Sequence, residues 1–386
     1  MIFDSESVFE ENVITVLKQH GWKDGVLRYP TERDLLDNWK DILYRNNNDI
    51  DRLGKYPLTD GEMTQIIEQI ETLRTPLALN SFVNGRTVSI TRDNKEDVAH
   101  FGKEVSLYIY DRKEIAGGKS TYQIAQQPVY PAKNKMLNSR RGDLVLLING
   151  MPLIHIELKK SGIPVSQATN QIEKYAHEGV FTGLFRLVQI FVAMNPDDAV
   201  YFANPGVDKF NPSYYFHWAD YNNEPICGGQ NPGKDEWKLF IGGTSGTAGL
   251  LSIPMAHQLI GFYTIADSAD GCLKVLRSYQ YIAANAISDV VRKCDWEQRP
   301  ATPGRPGGYV WHTTGSGKTM TSFKSAQLIA DSHDADKVVF LMDRIELGTQ
   351  SLRNTAALPT ARRKYKAPRT PVFCVTNSTA PMSTTL

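Results

Sequence analysis

The chain has 386 residues and 43 Lys and Arg against 42 Asp and Glu, a formal charge of +1, so no global field announces a nucleic acid or a membrane and any such partner must be read from local patches. With 41% hydrophobic and 22% charged residues it has the make-up of a globular protein of roughly two or three domains. No apolar run approaches the roughly 20 residues that cross a bilayer, which excludes a membrane-spanning protein, and no membrane partner is expected.

The acidic start, Met1 to Glu10, lacks the basic and apolar segments of a signal peptide. Ser5 to His20 places Val8, Phe9, Val13, Ile14 and Leu17 at helical spacing, with Ser7 and Glu10 as a capping box and Gly21 as a stop. Short β-rich runs follow at Thr87–Thr91, Val105–Tyr110, Asp143–Ile148, Leu153–Lys159 and Leu187–Met194, with a helix over Val165–Glu178 between the last two. Seven glycines between Gly228 and Gly249 mark a composition shift, which predicts a linker over 222–250 between domains at 1–221 and 251–352. Beyond it, Pro254–Val291 reads as mostly helical and Arg299–Gly308 as a loop. Gly307–His312 then reads as a strand, Lys318–Ala330 as a helix and Lys337–Met342 as a strand, the β-loop-α-β opening of a parallel α/β sheet. The four cysteines, Cys227, Cys272, Cys294 and Cys374, form no Cys-x-x-Cys motif and suit reduced thiols in a cytoplasm.

Chemistry concentrates in two places. In Leu153–Lys159 the residues alternate, so His155, Glu157 and Lys159 share one face of a strand. Asn149-Gly150 supplies the turn that folds this strand back on the one that Asp143 opens. Two neighbouring carboxylates suit a hard cation such as Mg²⁺, and an ammonium beside them can orient water or offset charge on phosphate, the needs of phosphodiester hydrolysis. A strict two-residue turn, however, would pair Asp143 with Ile156 and put Asp143 and Glu157 on opposite faces. Convergence of the pair therefore requires an odd-length loop or a bulge, and Gly150 suits the left-handed position of a G1 bulge. Between Ile115 and Gly142 no acidic residue occurs, while Lys119, Lys133, Lys135, Arg140 and Arg141 do, with Tyr122 and Tyr130 among them. Such a segment can track phosphates or stand simply solvated.

Asp143, the hairpin, Glu157-Leu158-Lys159, then Gln171 and Tyr175 one helical turn apart, resemble the PD-(D/E)xK nuclease superfamily with the Gln-x-x-x-Tyr helix of its RecB-like members. The resemblance implies a mixed sheet flanked by helices, Asp143 and Glu157 as Mg²⁺ ligands, Lys159 in catalysis, and Gln171 and Tyr175 contacting the DNA backbone or bracing the metal site, while Arg140 and Arg141 of the basic segment are expected against DNA. Glu10 is the position most like the extra N-terminal acid of such nucleases, with a purely structural helix cap as the alternative. The superfamily's Pro before the Asp is Gly142 here.

The second place is Thr314-Gly315-Ser316-Gly317-Lys318-Thr319, a glycine-rich turn opening a helix, where backbone N–H groups can cradle nucleotide phosphates, Lys318 can reach them and Thr319 can ligate Mg²⁺. Lacking the first glycine of the strict pattern, it resembles motif I of superfamily 2 helicases. Arg277 to Gln280 resembles their adenine-reading element, and Val338 to Leu347, with Asp343 and Arg344, their next motif. No Asp-Glu run follows, so this chain is not expected to hydrolyse ATP in response to DNA.

A nuclease followed by the start of a RecA-like motor resembles the R subunit of type I restriction-modification enzymes. Membership implies double-stranded DNA as substrate, Mg²⁺ and ATP as cofactors, and methylation and specificity subunits as partners. The motor being incomplete, the chain reads as a truncated R subunit. Two alternatives stay open: an ATP- or DNA-binding module without nuclease activity, and a non-catalytic fragment of a disrupted gene. Residues 354–386 contain no Asp or Glu and no amphipathic period. They predict an irregular basic tail over 353–386, out of frame with the family and packing no strand.

Overall fold

In the computed structural model, helix α1 (Glu6–Gln19) begins at Ser5, whose hydroxyl accepts the Val8 N–H at 3.3 Å. The cap is therefore Ser5 and not the Ser7–Glu10 box, and Glu10 turns inward with Phe9, Val13 and Leu17. The structure describes residues 2–131, 140–207, 209–267, 271–293, 307–335, 337–341, 365–366 and 372–376. Lys133 and Lys135, most of the Arg299–Gly308 loop, and Asp343 and Arg344 lie outside them.

The chain divides into two compact units, Met1–Ile265 with Gly271–Val275, and Ala266–Asp270 with Leu276–Leu386. The first opens with α1, strand β1 (Val26–Arg28) and helices α2 (Glu32–Asn46), α3 (Asp60–Thr72) and α4 (Pro76–Asn84). Thr31 and Thr59 each close a capping box, with Asp34 and Glu62, so both helix starts satisfy their exposed N–H groups locally. Strands β2 (Thr87–Thr91) and β3 (Glu104–Tyr108) form a separate antiparallel pair. Just after β2, the fully buried Arg92 bonds Glu62 at 2.6 Å and Asp97 at 3.0 Å, tying α3 to the hairpin through charges that are each paired.

The main sheet has six strands in the order β1-β4-β5-β6-β7-β8, with β4 at Tyr122–Gln126, β5 at Leu144–Ile148, β6 at Met151–Leu158, β7 at Ile190–Met194 and β8 at Ala199–Ala203. It is mixed: β1–β4 and β6–β7 are parallel and the remaining pairs antiparallel. Helix α5 (Val165–Glu178) makes the crossover from β6 to β7. It buries Ala168 and Ile172 against Val188, Phe191, Ala193, Val200 and Phe202, and at the 1.5–3 kcal/mol typical of a buried large apolar side chain this layer fixes the helix on the sheet. Gly179, left-handed at φ 72, ends α5.

Residues 222–250 do not form the expected linker. They carry helix α6 (Glu236–Gly242), whose Trp237, Phe240 and Ile241 are buried, with Trp237 edge-on to Phe9 of α1 at 5.2 Å. Glycines in this stretch serve turns within the unit rather than a spacer, and the boundary moves to about residue 276. Nor is Pro254–Val291 one helical stretch. Helix α7 (Ile253–Gln258) and a π-turn lead into strands β9 (Thr264–Asp267) and β10 (Cys272–Val275) before helix α8 (Ser278–Lys293).

In the second unit α8 is followed by helix α9 (Lys318–Ser332) and strand β11 (Lys337–Leu341). Two expectations fail here. The first concerns Gly307–His312, which forms no strand, and Tyr309 and Trp311 stand 90% and 87% exposed; an apolar run becomes a strand only when a neighbour takes its hydrogen bonds. The second concerns the sheet. Among the described residues of this unit it is antiparallel, not parallel, in the order β11-β13-β12, with β12 at Tyr365–Lys366 and β13 at Val372–Thr376. The presumed irregular tail thus supplies the central strand, because Val372-Phe373-Cys374-Val375-Thr376 is rich in β-branched and aromatic residues, which favour strands whatever charge flanks them. No helix among the described residues is long and apolar enough to cross a membrane.

Candidate active site

The β5–β6 hairpin turns through Asn149 and Gly150, both left-handed at φ 52 and 82, the form whose twist matches the strands. It is a strict two-residue turn, pairing Ile148 with Met151. The bulge needed to bring the carboxylates together exists, but at Leu153 rather than at Gly150: Leu147 pairs with Pro152 and Leu146 with Ile154. From there Leu144 pairs with Ile156, and one step further Asp143 faces Glu157. Asp143 Oδ2 accepts the Leu158 N–H at 2.7 Å, which fixes it at the mouth of the hairpin.

Glu157 is fully buried and neither of its oxygens has a hydrogen-bond donor. Register sets its carboxyl opposite Asp143, and because two carboxylates only accept, a bond between them would need a shared proton. Lys159 Nζ stands 3.7 Å from Glu157 Oε1 and 3.5 Å from Glu6 Oε1, and it donates to Leu158 O at 2.9 Å. Burial, then the charge of Glu157, drives Asp143 well above the usual carboxylate range. Burial likewise lifts Glu157 from 4.5 to about 8, partly offset by Lys159. The site is short of positive charge. Among the described residues no set of three or more His, Cys, Asp or Glu forms a metal cage. The orphaned Glu157 oxygens beside Asp143 do fit a hard cation held by two carboxylates, its other positions left to water and phosphate oxygens.

Glu10 is 3% exposed and takes Gln126 Nε2 at 2.5 Å and Gln127 Nε2 at 3.2 Å. Its charge adds to the rise at Asp143, so α1 brings a third carboxylate to the neighbourhood of the pair. On the other flank Gln171 Nε2 donates to the Tyr175 hydroxyl at 2.6 Å, and that hydroxyl donates to Arg141 O at 2.9 Å. The i, i+4 pair thus clasps the segment leading into Asp143. Arg140 makes two 2.9 Å bonds to Glu178, and Arg141 is exposed, its guanidinium 5.7 Å from the Tyr29 ring centre. Arg140, Gln167, Asn170, Gln171, Lys174 and Tyr175 line an open polar cleft of about 340 Å³.

Two tyrosines of the acid-free segment are not phosphate contacts. Tyr122 is buried with its hydroxyl 2.8 Å from His257 Nδ1, and Tyr130 is buried with its hydroxyl 2.8 Å from His155 Nδ1. Sequence reasoning missed the role of Tyr130 because β4 and the segment after it pack as core, where an aromatic is filler until a polar partner shows itself.

In the second unit the glycine-rich turn keeps its two glycines left-handed, Gly315 at φ 78 and Gly317 at φ 79, where Gly317 caps α9. Arg277–Gln280 and Thr314–Thr319 do come together. Tyr279 Oη donates to Ser316 O at 2.9 Å, and Gln280 Nε2 donates to Ser316 O at 3.1 Å. Gln280 Oε1 accepts the Arg277 N–H at 3.0 Å, so its amide braces the turn rather than standing free. Lys318 Nζ folds back on Thr313 O at 2.9 Å, and Thr314, Gly315, Lys318 and Thr319 are exposed.

A mixed sheet flanked by helices, with Asp143 and Glu157 opposed at a hairpin mouth, is consistent with a nuclease-type α/β unit, and comparison with known proteins gives the chain a family. Residues 4–210 match the family described as type I restriction enzyme R protein N terminus, and the chain belongs to it. Residues 279–371 match the SWI2/SNF2 ATPase family; this match runs past residue 352 into the stretch read as foreign to the family. Type I restriction enzyme endonuclease subunits of Staphylococcus saprophyticus and Staphylococcus aureus strain MSSA476 are 31% and 32% identical over 359 and 353 residues, covering 91% of this chain and 33% of each relative. An Escherichia coli subunit of the same type is 29% identical over 217 residues, 55% of this chain and 62% of its own length. The chain spans about a third of the length of the staphylococcal relatives.

Proposed function

We propose that this chain is part of the restriction subunit of a type I restriction-modification system, a Mg²⁺-dependent endonuclease on double-stranded DNA working with methylation and specificity subunits. The observation that carries the reading is the bulge-set pair Asp143 and Glu157, both raised in proton affinity, with Glu157 fully buried and its oxygens without a donor. In this reading Asp143 and Glu157 hold the cation, and the Leu158 N–H keeps Asp143 in place. Lys159 sets its ammonium beside Glu157, to orient the attacking water and offset charge gathering on phosphate. Glu10 adds acidity next to Asp143, for a water-mediated contact to the same cation. A divalent ion bound here would lower the pKa of its water and neutralise phosphate charge. Arg141, with Lys174, Asn170 and Gln167 along the polar cleft, receives the DNA backbone, while Gln171 and Tyr175 hold the segment that bears Arg140 and Arg141. Cleavage of supercoiled plasmid by the chain assembled with partner subunits and a complete motor is expected to stop on chelation of divalent cations; cutting that survives excess chelator would contradict the reading.

The SWI2/SNF2 ATPase match over residues 279–371 supports nucleotide binding by this unit; in this reading Thr314–Thr319 would hold the phosphates and Thr319 would hold Mg²⁺. Lys318 would leave the Thr313 carbonyl for the phosphates. Lys318→Ala is then expected to weaken ATP binding about ten- to a hundredfold, the worth of one hydrogen bond to a charged group at about 1.5–3 kcal/mol, measured by titration with a fluorescent ATP analogue. Equal affinity in the variant would remove the turn from the nucleotide site.

A further inference from the structure

His155 is the polar group at the hairpin that the function above does not use. It lies two residues before Glu157 on the same strand, is fully buried, and stands 3.3 Å from Glu157 Oε2 through Nε2. That separation is within hydrogen-bond length but out of alignment, so Nε2 and both Glu157 oxygens are buried polar atoms without a bond. The other ring nitrogen is not idle. Tyr130 Oη lies 2.8 Å from Nδ1, and among the described residues that hydroxyl has no other polar partner. When the hydroxyl donates and Nδ1 accepts, the proton of the neutral imidazole sits on Nε2, facing Glu157, and this is the tautomer in which His155 can donate to that carboxyl. Tyr130, Tyr175, Phe181 and Phe191 surround the ring with centroids 5.5–6.3 Å away. Among the described residues its Nε2 has no hydrogen-bond partner.

Gly142 belongs to the same arrangement. A Cβ there would run into the Tyr130 hydroxyl and come within 2.9 Å of His155 Cε1. A proline would also lose the Gly142 N–H bond to Pro128 O at 3.3 Å. The glycine where the superfamily motif has proline is thus what admits the Tyr130–His155 pair.

We propose that His155 is a positioning residue: its Nε2–H, in a tautomer set by the Tyr130 hydroxyl, holds Glu157 Oε2 and so turns Oε1 toward the cation. The proposal rests on the reading of Asp143 and Glu157 as metal ligands. A small rotation of the Glu157 carboxyl closes the 3.3 Å contact into a bond. Partners of this kind that orient a ligating group are worth about 10–100-fold in metal affinity.

The test is calorimetric titration of the 386-residue chain with Mn²⁺, comparing wild type with His155→Leu, His155→Gln, Tyr130→Phe and Glu157→Ala, with a thermal melt of each. His155→Leu fills the space without a donor and should bind about 10–100-fold more weakly, whereas His155→Gln, whose amide reaches the Nε2 position, should stay within about threefold of wild type. Tyr130→Phe frees the tautomer and should fall between them. Leu and Phe variants that bind as tightly as wild type, or a Gln variant that loses as much as Leu, would overturn the proposal and leave His155 as packing. Should the Leu variant not fold, Tyr130→Phe decides by the same criterion. If instead Glu157→Ala binds like wild type, or wild type binds no Mn²⁺, the carboxylate reading falls and takes this one with it.

Discussion

Glu157→Ala is expected to lower DNA cleavage by about a thousandfold or more, since losing one of two metal carboxylates forfeits several kcal/mol of transition-state stabilisation at 1.36 kcal/mol per tenfold. The fold should survive, because Glu157 makes no hydrogen bond that the core depends on. In the metal-free chain Glu157 should even be a burden at high pH. Its carboxyl holds a proton up to about pH 8 when folded, against 4.5 ordinarily. Between those values the folded chain binds more protons than the unfolded one, so stability declines as pH rises through that window, and Asp143, also raised, acts in the same sense. Glu157→Gln should flatten this decline and raise the metal-free melting temperature near pH 8. Divalent cation should do the same to wild type but not to the variant, with an affinity that increases with pH as the carboxyls release protons. A Glu157→Gln chain whose melting temperature falls with pH as steeply as that of wild type, and rises as much on adding Mg²⁺, would place the cation elsewhere.

Gly150→Val is expected to destabilise the first unit by about 4 kcal/mol, combining about 1–3 kcal/mol for a β-branched residue in the left-handed region with about 1–3 kcal/mol for overpacking. Gly150 sits at φ 82, and a Cβ there would lie 2.8 Å from the Cα of Trp39. That contact is backbone of α2, which cannot step aside as a side chain could. The consequence reaches the site because this turn sets the register that the bulge at Leu153 then corrects, and only the two together place Asp143 opposite Glu157. Denaturant unfolding measures the loss. A Gly150→Val chain with wild-type midpoint and wild-type Mn²⁺ affinity would show that the turn does not set the register.

Much of this site was legible because its chemistry is local in sequence. Asp143, Glu157 and Lys159 fall within one hairpin, and strand parity alone demanded either an odd-length loop or a bulge, of which the protein has the bulge. The bulge's place was not legible. Leu153 is one apolar residue in an apolar strand, and nothing in Met151–Leu158 marks it. Helices α2 and α3 went unread although Thr31-x-x-Asp34 and Thr59-x-x-Glu62 announce both starts. The glycines of 222–250 misled because turns inside a domain and spacers between domains share a composition; burial of Trp237, Phe240 and Ile241 separates them only in three dimensions. In the second unit the glycine turn and its helix were readable from local geometry. The pairing of β11 with β13 was not, since 30 residues separate the end of one from the start of the other and strand partners leave no mark in either strand alone. His155 and Tyr130 show the same limit: 25 residues apart, they become a pair only once β4 and β6 flank β5.

The claim on which the rest depends is that Asp143 and Glu157 share one divalent cation. Anomalous diffraction at the manganese edge, from crystals of the chain soaked in Mn²⁺, tests it without recourse to activity. The expected result is a peak about 2 Å from one oxygen of Asp143 and one of Glu157, lost in Glu157→Ala. A strong peak elsewhere, or two ordered carboxyl groups with no peak between them at saturating Mn²⁺, would contradict it.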